Sequence, residues 1–318
     1  MDPVVAVAHY PEGAGHATRM LAVAQALEAE GATVHLAGGG PGQKFVELQG
    51  YEEFVPAVVD YIGDYQDGGN LLRVITHSVP MSGKRVLDYA LWLRRLEPDA
   101  IVTDDMFAAM AADLTDTPLH VLTHNSPHFY DAVVEEVFTW LLTRFQLRAG
   151  EQFLYPSVWP ACDDDPVGVT HIPPIALEGT GEVEPEPMDA LLVPSHYSDG
   201  FEALENRLTD DGHDVTLVGD GDWESVPSML PFLEAADVVV CSGYSTVMEA
   251  AVAGTPCVIW PFTDEQHGVS RVIEKAGVAG FQVEHSIPHV ARAVRNPPEE
   301  PEFENGDTAA AEYILEHL

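Results

Sequence analysis

The chain has 318 residues, 46% of them hydrophobic, with 52 Asp plus Glu against 14 Lys plus Arg and a formal net charge of −38. This length accommodates two domains of ordinary size, and its apolar content in regular patterns excludes an acidic disordered protein. So acidic a surface repels nucleic acid, and it fits the salt-filled cytoplasm of a halophile, where ions screen self-repulsion.

Along the chain, the apolar run Val4–Ala8, between Pro3 and Pro11, predicts a buried parallel strand. A glycine loop (Glu12–Gly15) leads to a helix over Ala17–Glu30, apolar at Met20, Leu21, Ala24 and Leu27. Gly31 stops it, and Thr33–Ala37 reads as the next strand. Strands recur at Ile101–Thr103 and Leu119–Thr123, separated by alanine-rich helical patterns. From Phe153 to Glu186 the composition turns to Pro, Gly and acid, which is linker chemistry. A second unit follows: strand Ala190–Val193, helix Phe201–Leu208, strand Asp214–Val218, strand Val238–Cys241, a turn at Ser242–Thr246, a helix, and strand Pro256–Trp260. An acidic-polar loop (Thr263–His267) and another helix come next, and Thr308–Leu318 reads as a closing helix. Repeated β-α-β units predict an α/β protein of two Rossmann-like domains facing each other across a cleft. The divisions are 1–155, a linker at 156–188, a second domain at 189–300, and an acidic tail with the closing helix at 301–318. Cys162, Cys241 and Cys257 have no paired spacing. No apolar run approaches the ~18 residues of a membrane span, and the N-terminus lacks a basic leader, so the expected location is cytoplasmic.

Ligands of such sheets bind beyond the carboxyl ends of the strands, which puts the Gly13–His16 loop and the Ser242–Thr246 turn on opposite lips of one crevice. Gly13-Ala14-Gly15-His16 is not a dinucleotide fingerprint, because Thr18 takes the third glycine position and no acid ends the second strand. A histidine at a helix start is held neutral and available as a base; the alternative is a loop histidine that caps backbone. Asp104-Asp105 follows a strand. A carboxylate there can fix the tautomer of His16, or it can cap the helix Met106–Leu114. Two aspartates allow both, with Asp104 assigned to the histidine and Asp105 to the cap. At Ser242-Gly243-Tyr244-Ser245-Thr246 a strand breaks and re-enters as a helix, which aims bare N–H groups at an anion. Glu249, one turn on, can accept from ribose hydroxyls, and Glu265-Gln266 supplies a second hydroxyl-binding pair; together they suggest a nucleotide sugar. The alternative is a capped helix with acid in its first turn. Asp163–Asp165 reads as solvated surface, and no histidine sits in a metal-binding motif, so no metal is expected. The stretch Glu135–Arg148 carries Phe138, Trp140, Leu141, Leu142 and Phe145 with Arg144 and Arg148. Core packing is the expectation for its stripe; an acceptor-site wall or a face resting on lipid are the other readings.

GAGHATRMLAVAQALEAEGATVHLAG resembles the opening of the GT-B N-acetylglucosaminyltransferase that makes peptidoglycan lipid II, and ADVVVCSGYSTVMEAAVAGTPCVIWPF resembles its donor-binding region. The Glu265-Gln266 loop resembles the acidic-Gln pair of UDP-glycosyltransferases. The resemblance implies a GT-B glycosyltransferase with an acceptor domain first and a nucleotide-sugar domain second. It implies that Gly15 and Ser242–Thr246 meet the diphosphate, with Ser195 and Ser198 replacing a Gly-Ser-rich loop. Glu249 would bind ribose, Val226 the base edge through its backbone, and Glu265 and Gln266 the sugar. His16 would be the base, with Asp104 as its partner. Gly13, His124, Asn125 and the region Tyr61–Ser82 are the expected acceptor side. The implied reaction is an inverting, metal-independent transfer from a UDP-linked sugar to a hydroxyl or phosphate. A lipid-linked acceptor and peripheral contact with the inner membrane face are among the expectations, and no cofactor beyond the co-substrate is expected. A non-hydrolysing UDP-sugar 2-epimerase and a non-catalytic nucleotide-sugar-binding subunit are the competing readings.

Overall fold

The computed structural model describes residues 2–57, 79–179, 181, 184–219 and 223–318. In its first half β1 (Val4–Ala8) leads through α1 (Ala14–Ala29) to β2 (Thr33–Ala37), then α2 (Gln43–Leu48) and β3 (Glu53–Phe54). After α3 (Val79–Leu96) come β4 (Ala100–Thr103), α4 (Met106–Thr115), β5 (Leu119–Leu122), α5 (Val133–Ala149), β6 (Gln152–Pro156) and β7 (Thr170–Ile172). The second half opens with β8 (Ala190–Val193), α6 (Phe201–Asp210), β9 (Val215–Leu217), α7 (Leu230–Glu234) and β10 (Val239–Cys241). It continues through α8 (Tyr244–Ala253), β11 (Cys257–Ile259), α9 (Asp264–Ala276), β12 (Phe281–Val283), α10 (Ile287–Arg295) and α11 (Asp307–Leu315).

Among the described residues the strands form two sheets, ordered β3-β2-β1-β4-β5-β6-β7 and β12-β11-β10-β8-β9. Every strand pairing in both is parallel. This is an α/β architecture of two Rossmann-like sheets. In each the strand order reverses once, between β1 and β4 and between β8 and β10. Loops leaving the carboxyl ends at such a reversal splay apart and leave a crevice. His9-Tyr10 and Asp104 leave the first switch point; Ser195 and Ser242 leave the second.

One face of the first sheet is sealed by α1, whose Met20, Leu21 and Leu27 are fully buried, and by Ala310, Ala311 and Ile314 of α11. Each such leucine contributes about 1.5–3 kcal/mol by leaving water. The closing helix thus returns across both domains to the N-terminal unit. A second apolar cluster is continuous between the domains, joining Phe129, Tyr155 and Trp159 to Tyr244, Val247 and Met248. Among the described residues no helix is long and apolar enough to cross a membrane.

Several local expectations shift. The first helix begins at Ala14, three residues early, because Gly13 takes φ 77°, a left-handed turn that lets the chain enter the helix at once. Gly15 and His16 therefore belong to its first turn. Tyr244–Thr246 and Glu265-Gln266 are likewise helical rather than loop. Residues 156–188 are not all linker: β7 adds an edge strand to the first sheet, and Ile175–Leu177 are buried. Their prolines and acids hid a short hydrophobic repeat. Asp165, read as solvated, accepts from Trp159 Nε1 and from the Cys162 amide, which ties that turn together. The stretch 133–149 does not pack its apolar stripe inward; Thr139, Thr143 and Gln146 are its buried residues.

Candidate active site

Two helix N-termini meet across the cleft. Neither Gly13, before α1, nor Gly243, before α8, supplies a capping side chain. The first-turn N–H groups of both helices are therefore left for another acceptor, with both dipoles behind them. The approach is close: a Cβ built on Gly15 would lie 2.1 Å from Ser245 Oγ and 2.4 Å from Ser245 Cβ. Only glycine admits α8 at that distance.

On the N-terminal lip, His16 Nδ1 lies 2.7 Å from Asp104 Oδ2 although 88 residues separate them. Oδ1 of the same carboxylate accepts from the Tyr10 amide at 2.7 Å, and Oδ2 also accepts from Arg19 at 2.5 Å. Burial alone would raise the Asp104 pKa; the charges of His16 and Arg19 and these hydrogen bonds overcome it and hold the carboxyl well below the usual range. A carboxylate cannot donate, so Nδ1 of His16 carries a proton in this contact, and Nε2 is the ring nitrogen left over for another partner. Nε2 has no partner among the described residues, and the side chain is 34% exposed. Asp105 is the helix cap, accepting from the Phe107 amide at 2.8 Å, and it is also held by Arg85 and Tyr89.

The two lips are joined by a second set of contacts. Arg19 NH1 approaches His124 Nδ1 at 3.4 Å, and His124 Nε2 approaches Glu265 Oε1 at 3.0 Å. Arg19 can only donate, so Nδ1 of His124 accepts and Nε2–H donates to Glu265. Burial is the main reason the His124 pKa is lowered, consistent with that neutral tautomer. Glu265 is held below its ordinary value: burial opposes this, and the hydrogen bond from His124, with the Arg19 charge nearby, prevails. Glu249 faces Thr18 and Arg19 across the cleft; burial pushes its carboxyl up to about 7, against the lowering effect of both partners.

The remaining sequence-predicted residues fall into place unevenly. Ser195, Ser198 and Ser242 form a hydroxyl cluster at the second switch point. Ser198 Oγ lies 2.7 Å from Ser242 Oγ, and the Ser195 amide donates to Ser242 Oγ at 2.8 Å. Gly243, Ser245 and Thr246 are half-buried at the α8 terminus. The Tyr244 ring packs on His124 and Trp159, and its hydroxyl accepts from the Val158 amide at 3.1 Å. Gln266 is spent on structure. Its carbonyl oxygen accepts from the Phe262 and Thr263 amides as half of a capping box, and Nε2 donates to Ser195. Val226 lies half-buried beside Pro227, whose carbonyl accepts from Gln49 Nε2 at 3.1 Å. Asn125 accepts from the Tyr130 hydroxyl at 3.2 Å, and Gly13 is exposed at the mouth. The expected acceptor region 61–82 lies outside the described residues up to position 78.

Sequence reasoning missed Arg19. It is 2% exposed and touches both Asp104 and His124. The available signal was a charged residue beside Met20-Leu21 on a helix otherwise apolar on nearly every side.

No family model matches the chain. An uncharacterized glycosyltransferase of Methanosarcina mazei is 23% identical over 333 residues, covering 87% of this chain and 84% of the relative. The glycosyltransferase of kitacinnamycin superposes with a TM-score of 0.68 at 16% identity, covering 100% of this chain and 99% of the other. SsfS6, a glycosyltransferase of Streptomyces sp. SF2575 solved with thymidine diphosphate, superposes with a TM-score of 0.61 at 15% identity, covering 99% and 95%. At such identities the structural likeness shows a shared fold, and that fold is GT-B.

Proposed function

We propose that this GT-B glycosyltransferase transfers a sugar from a nucleoside diphosphate sugar, UDP-linked, to an acceptor hydroxyl or phosphate, with inversion and without a metal. The observation that carries the reading is the 2.7 Å contact of His16 Nδ1 with Asp104, which leaves Nε2 as the basic atom at the cleft mouth. Nε2 takes the acceptor proton as the acceptor oxygen bonds to the anomeric carbon. The bond from that carbon to the diphosphate oxygen breaks on the opposite face. Asp104 keeps the ring oriented and stabilises the imidazolium that forms.

The leaving diphosphate carries the negative charge. The uncapped first turn of α8 and the Ser195–Ser198–Ser242 hydroxyls support its stabilisation by preorganised donors. The thymidine diphosphate held by SsfS6 supports a nucleoside diphosphate in this chain as well. In this reading Glu249 takes the ribose hydroxyls and Glu265 the sugar, exchanging their present partners Thr18 and His124 for the donor. Gly15 then serves as the contact that lets both helix termini reach one pyrophosphate.

The test is a panel of nucleotide sugars, scored by thermal shift and by nucleotide release. His16→Ala should lower transfer by about 10²–10⁴-fold while leaving donor binding near normal. A His16→Ala protein with full turnover sinks the assignment. Isomerisation of the donor sugar without acceptor would point instead to epimerase chemistry.

A further inference from the structure

Arg19 sits on α1 one turn beyond His16, and it is 2% exposed. Its NH2 donates to Asp104 Oδ2 at 2.5 Å, and its NH1 approaches Nδ1 of His124 at 3.4 Å. One guanidinium thus reaches both the carboxylate behind His16 and the ring in front of Glu265. The Asp104 contact answers a need for charge balance, because a buried carboxylate requires a cation. The His124 contact balances no charge, and its consequence lies in where it lets a proton sit.

Among the described residues, titratable groups act on His124 from three helices. Arg19 and the charge of His16 act from α1, the Tyr244 ring from α8 at 4.5 Å between centroids, and Glu265 from α9 at 3.0 Å. A guanidinium only donates, so a proton on Nδ1 would meet an N–H head on. The ring is thereby confined to one proton, at Nε2, and Glu265 accepts it. Without the donor at Nδ1 the same ring can take a second proton, with a carboxylate at its other end to stabilise the charge. His124 and Glu265 would then form an ion pair, which is stronger than a hydrogen bond from a neutral ring. A carboxylate locked in this way is closed to a ligand, and apparent affinity falls with the fraction of molecules in which it is open.

We propose that Arg19 is a positioning residue for the donor sugar: its contact with Nδ1 keeps His124 a neutral Nε2–H donor, which holds Glu265 in place yet releases it to a sugar hydroxyl. This role presupposes that Glu265 meets the sugar, as proposed above. Once released, the same Nε2–H can donate to the sugar, so Glu265 and His124 together supply one acceptor and one donor.

Arg19→Lys separates the two contacts. A single ammonium can keep Asp104, the nearer partner, but lacks the fork that also reaches His124. NMR of the ligand-free full chain with isotope-labelled histidine, its His124 signals identified by their loss in His124→Gln, should show a neutral Nε2–H ring in the parent at about pH 6.5 and an imidazolium in Arg19→Lys. Arg19→Gln, which removes the charge as well, should give the same imidazolium. Both proteins are then titrated with UDP-glucose and UDP-N-acetylglucosamine. The dissociation constant of the sugar that binds should be about tenfold weaker in Arg19→Lys at about pH 6.5, and the ratio should close toward unity near pH 8.5 as the extra proton leaves. Glu249 titrates in both proteins, so the ratio isolates His124. In a Glu265→Gln background the pH-dependent part should vanish, since no carboxylate remains to be locked. A purely structural Arg19 gives the same ratio at both pH values; that result overturns the proposal, as does a His124 still neutral in Arg19→Lys. A parent that binds neither nucleotide sugar overturns the donor assignment of Glu265 itself, a failure that the ligand-free spectra distinguish from the first.

Discussion

Gly15→Ala tests whether the two lips must touch. The substitution is harmless locally, since Gly15 lies in helical backbone and alanine is favoured there by up to about 1 kcal/mol. The conflict is across the cleft, where the new methyl would sit 2.4 Å from Ser245 Cβ. Carbon atoms settle at about 3.5–4.0 Å, so α1 and α8 must separate by about 1 Å or more. Rotating Ser245 clears its hydroxyl but not its Cβ. Misplacement on that scale costs on the order of 100-fold in rate when reacting groups come from opposite sides of a site. The assay is nucleotide release under saturating donor and acceptor, paired with thermal unfolding of the ligand-free protein. The expected outcome is a stability at or below the parent, because the packed α1–α8 contact opens, with turnover down about 100-fold, and a recovery of about tenfold in Gly15→Ala/Ser245→Gly. An alanine variant with parental turnover, or a double variant no better than the single, would refute the view that the closed contact is the reacting arrangement.

Asp104→Asn leaves the buried Arg19 guanidinium without its carboxylate and His16 without its tautomer anchor; it should lose about 3–5 kcal/mol in denaturant unfolding and most of its turnover. Parental stability would contradict the pairing. Because the Asp104 carboxyl is depressed in the fold, its stabilising contribution is present above pH 3.8 and is lost as pH falls through the lower folded value. Glu249 has the opposite sign. Its carboxyl rises from 4.5 to about 7, so between those values the folded chain holds a proton that the unfolded chain has released. Stability falls as pH rises across that window, by about 3 kcal/mol when complete. Glu249→Gln should therefore raise the melting temperature of the ligand-free protein above about pH 8, and donor affinity should climb with pH through the window only in the parent. Parallel melting curves for the two proteins across the window would sink this account. Chelator should leave transfer unchanged, since helix termini and hydroxyls carry the diphosphate charge; a rate abolished by chelator and restored by a divalent ion would exclude the metal-independent step.

Much of the frame was legible in one dimension. Val4–Ala8, Thr33–Ala37 and Ala190–Val193 are strands with the limits their apolar runs imply. Alanine-rich spacing located the helices between them. Three of the strands that escaped, Glu53–Phe54, Thr170–Ile172 and Phe281–Val283, are two or three residues long, while a fourth, Gln152–Pro156, has five and lies where the Pro-rich composition reads as linker. A segment of two or three residues carries no periodicity, and its pairing comes from the strand already in place beside it. Of the candidate site, His16, Asp104, Ser242 and Glu249 are proposed from chemistry at strand ends and helix starts, and the structure brings His16 and Asp104 into contact. Arg19 could not be named in that way, because its partners Asp104 and His124 lie 85 and 105 residues away. Gln266, expected at the sugar, caps α9 in the structure: the same residue type serves a sugar hydroxyl or a helix cap, and Thr263 is its capping partner here.

What the sequence determined by itself is the inventory: parallel α/β units, bare helix starts, a histidine with an aspartate to pair with, and a surface of overwhelming negative charge. Tertiary structure alone decided which of these meet. It set α8 against Gly15, joined His124 to Glu265 over 141 residues, and turned the apolar stripe of α5 outward. The physical reason is that periodicity specifies that a face is apolar or a group polar, while its partner is fixed by packing among residues far apart in the chain, which no local pattern records.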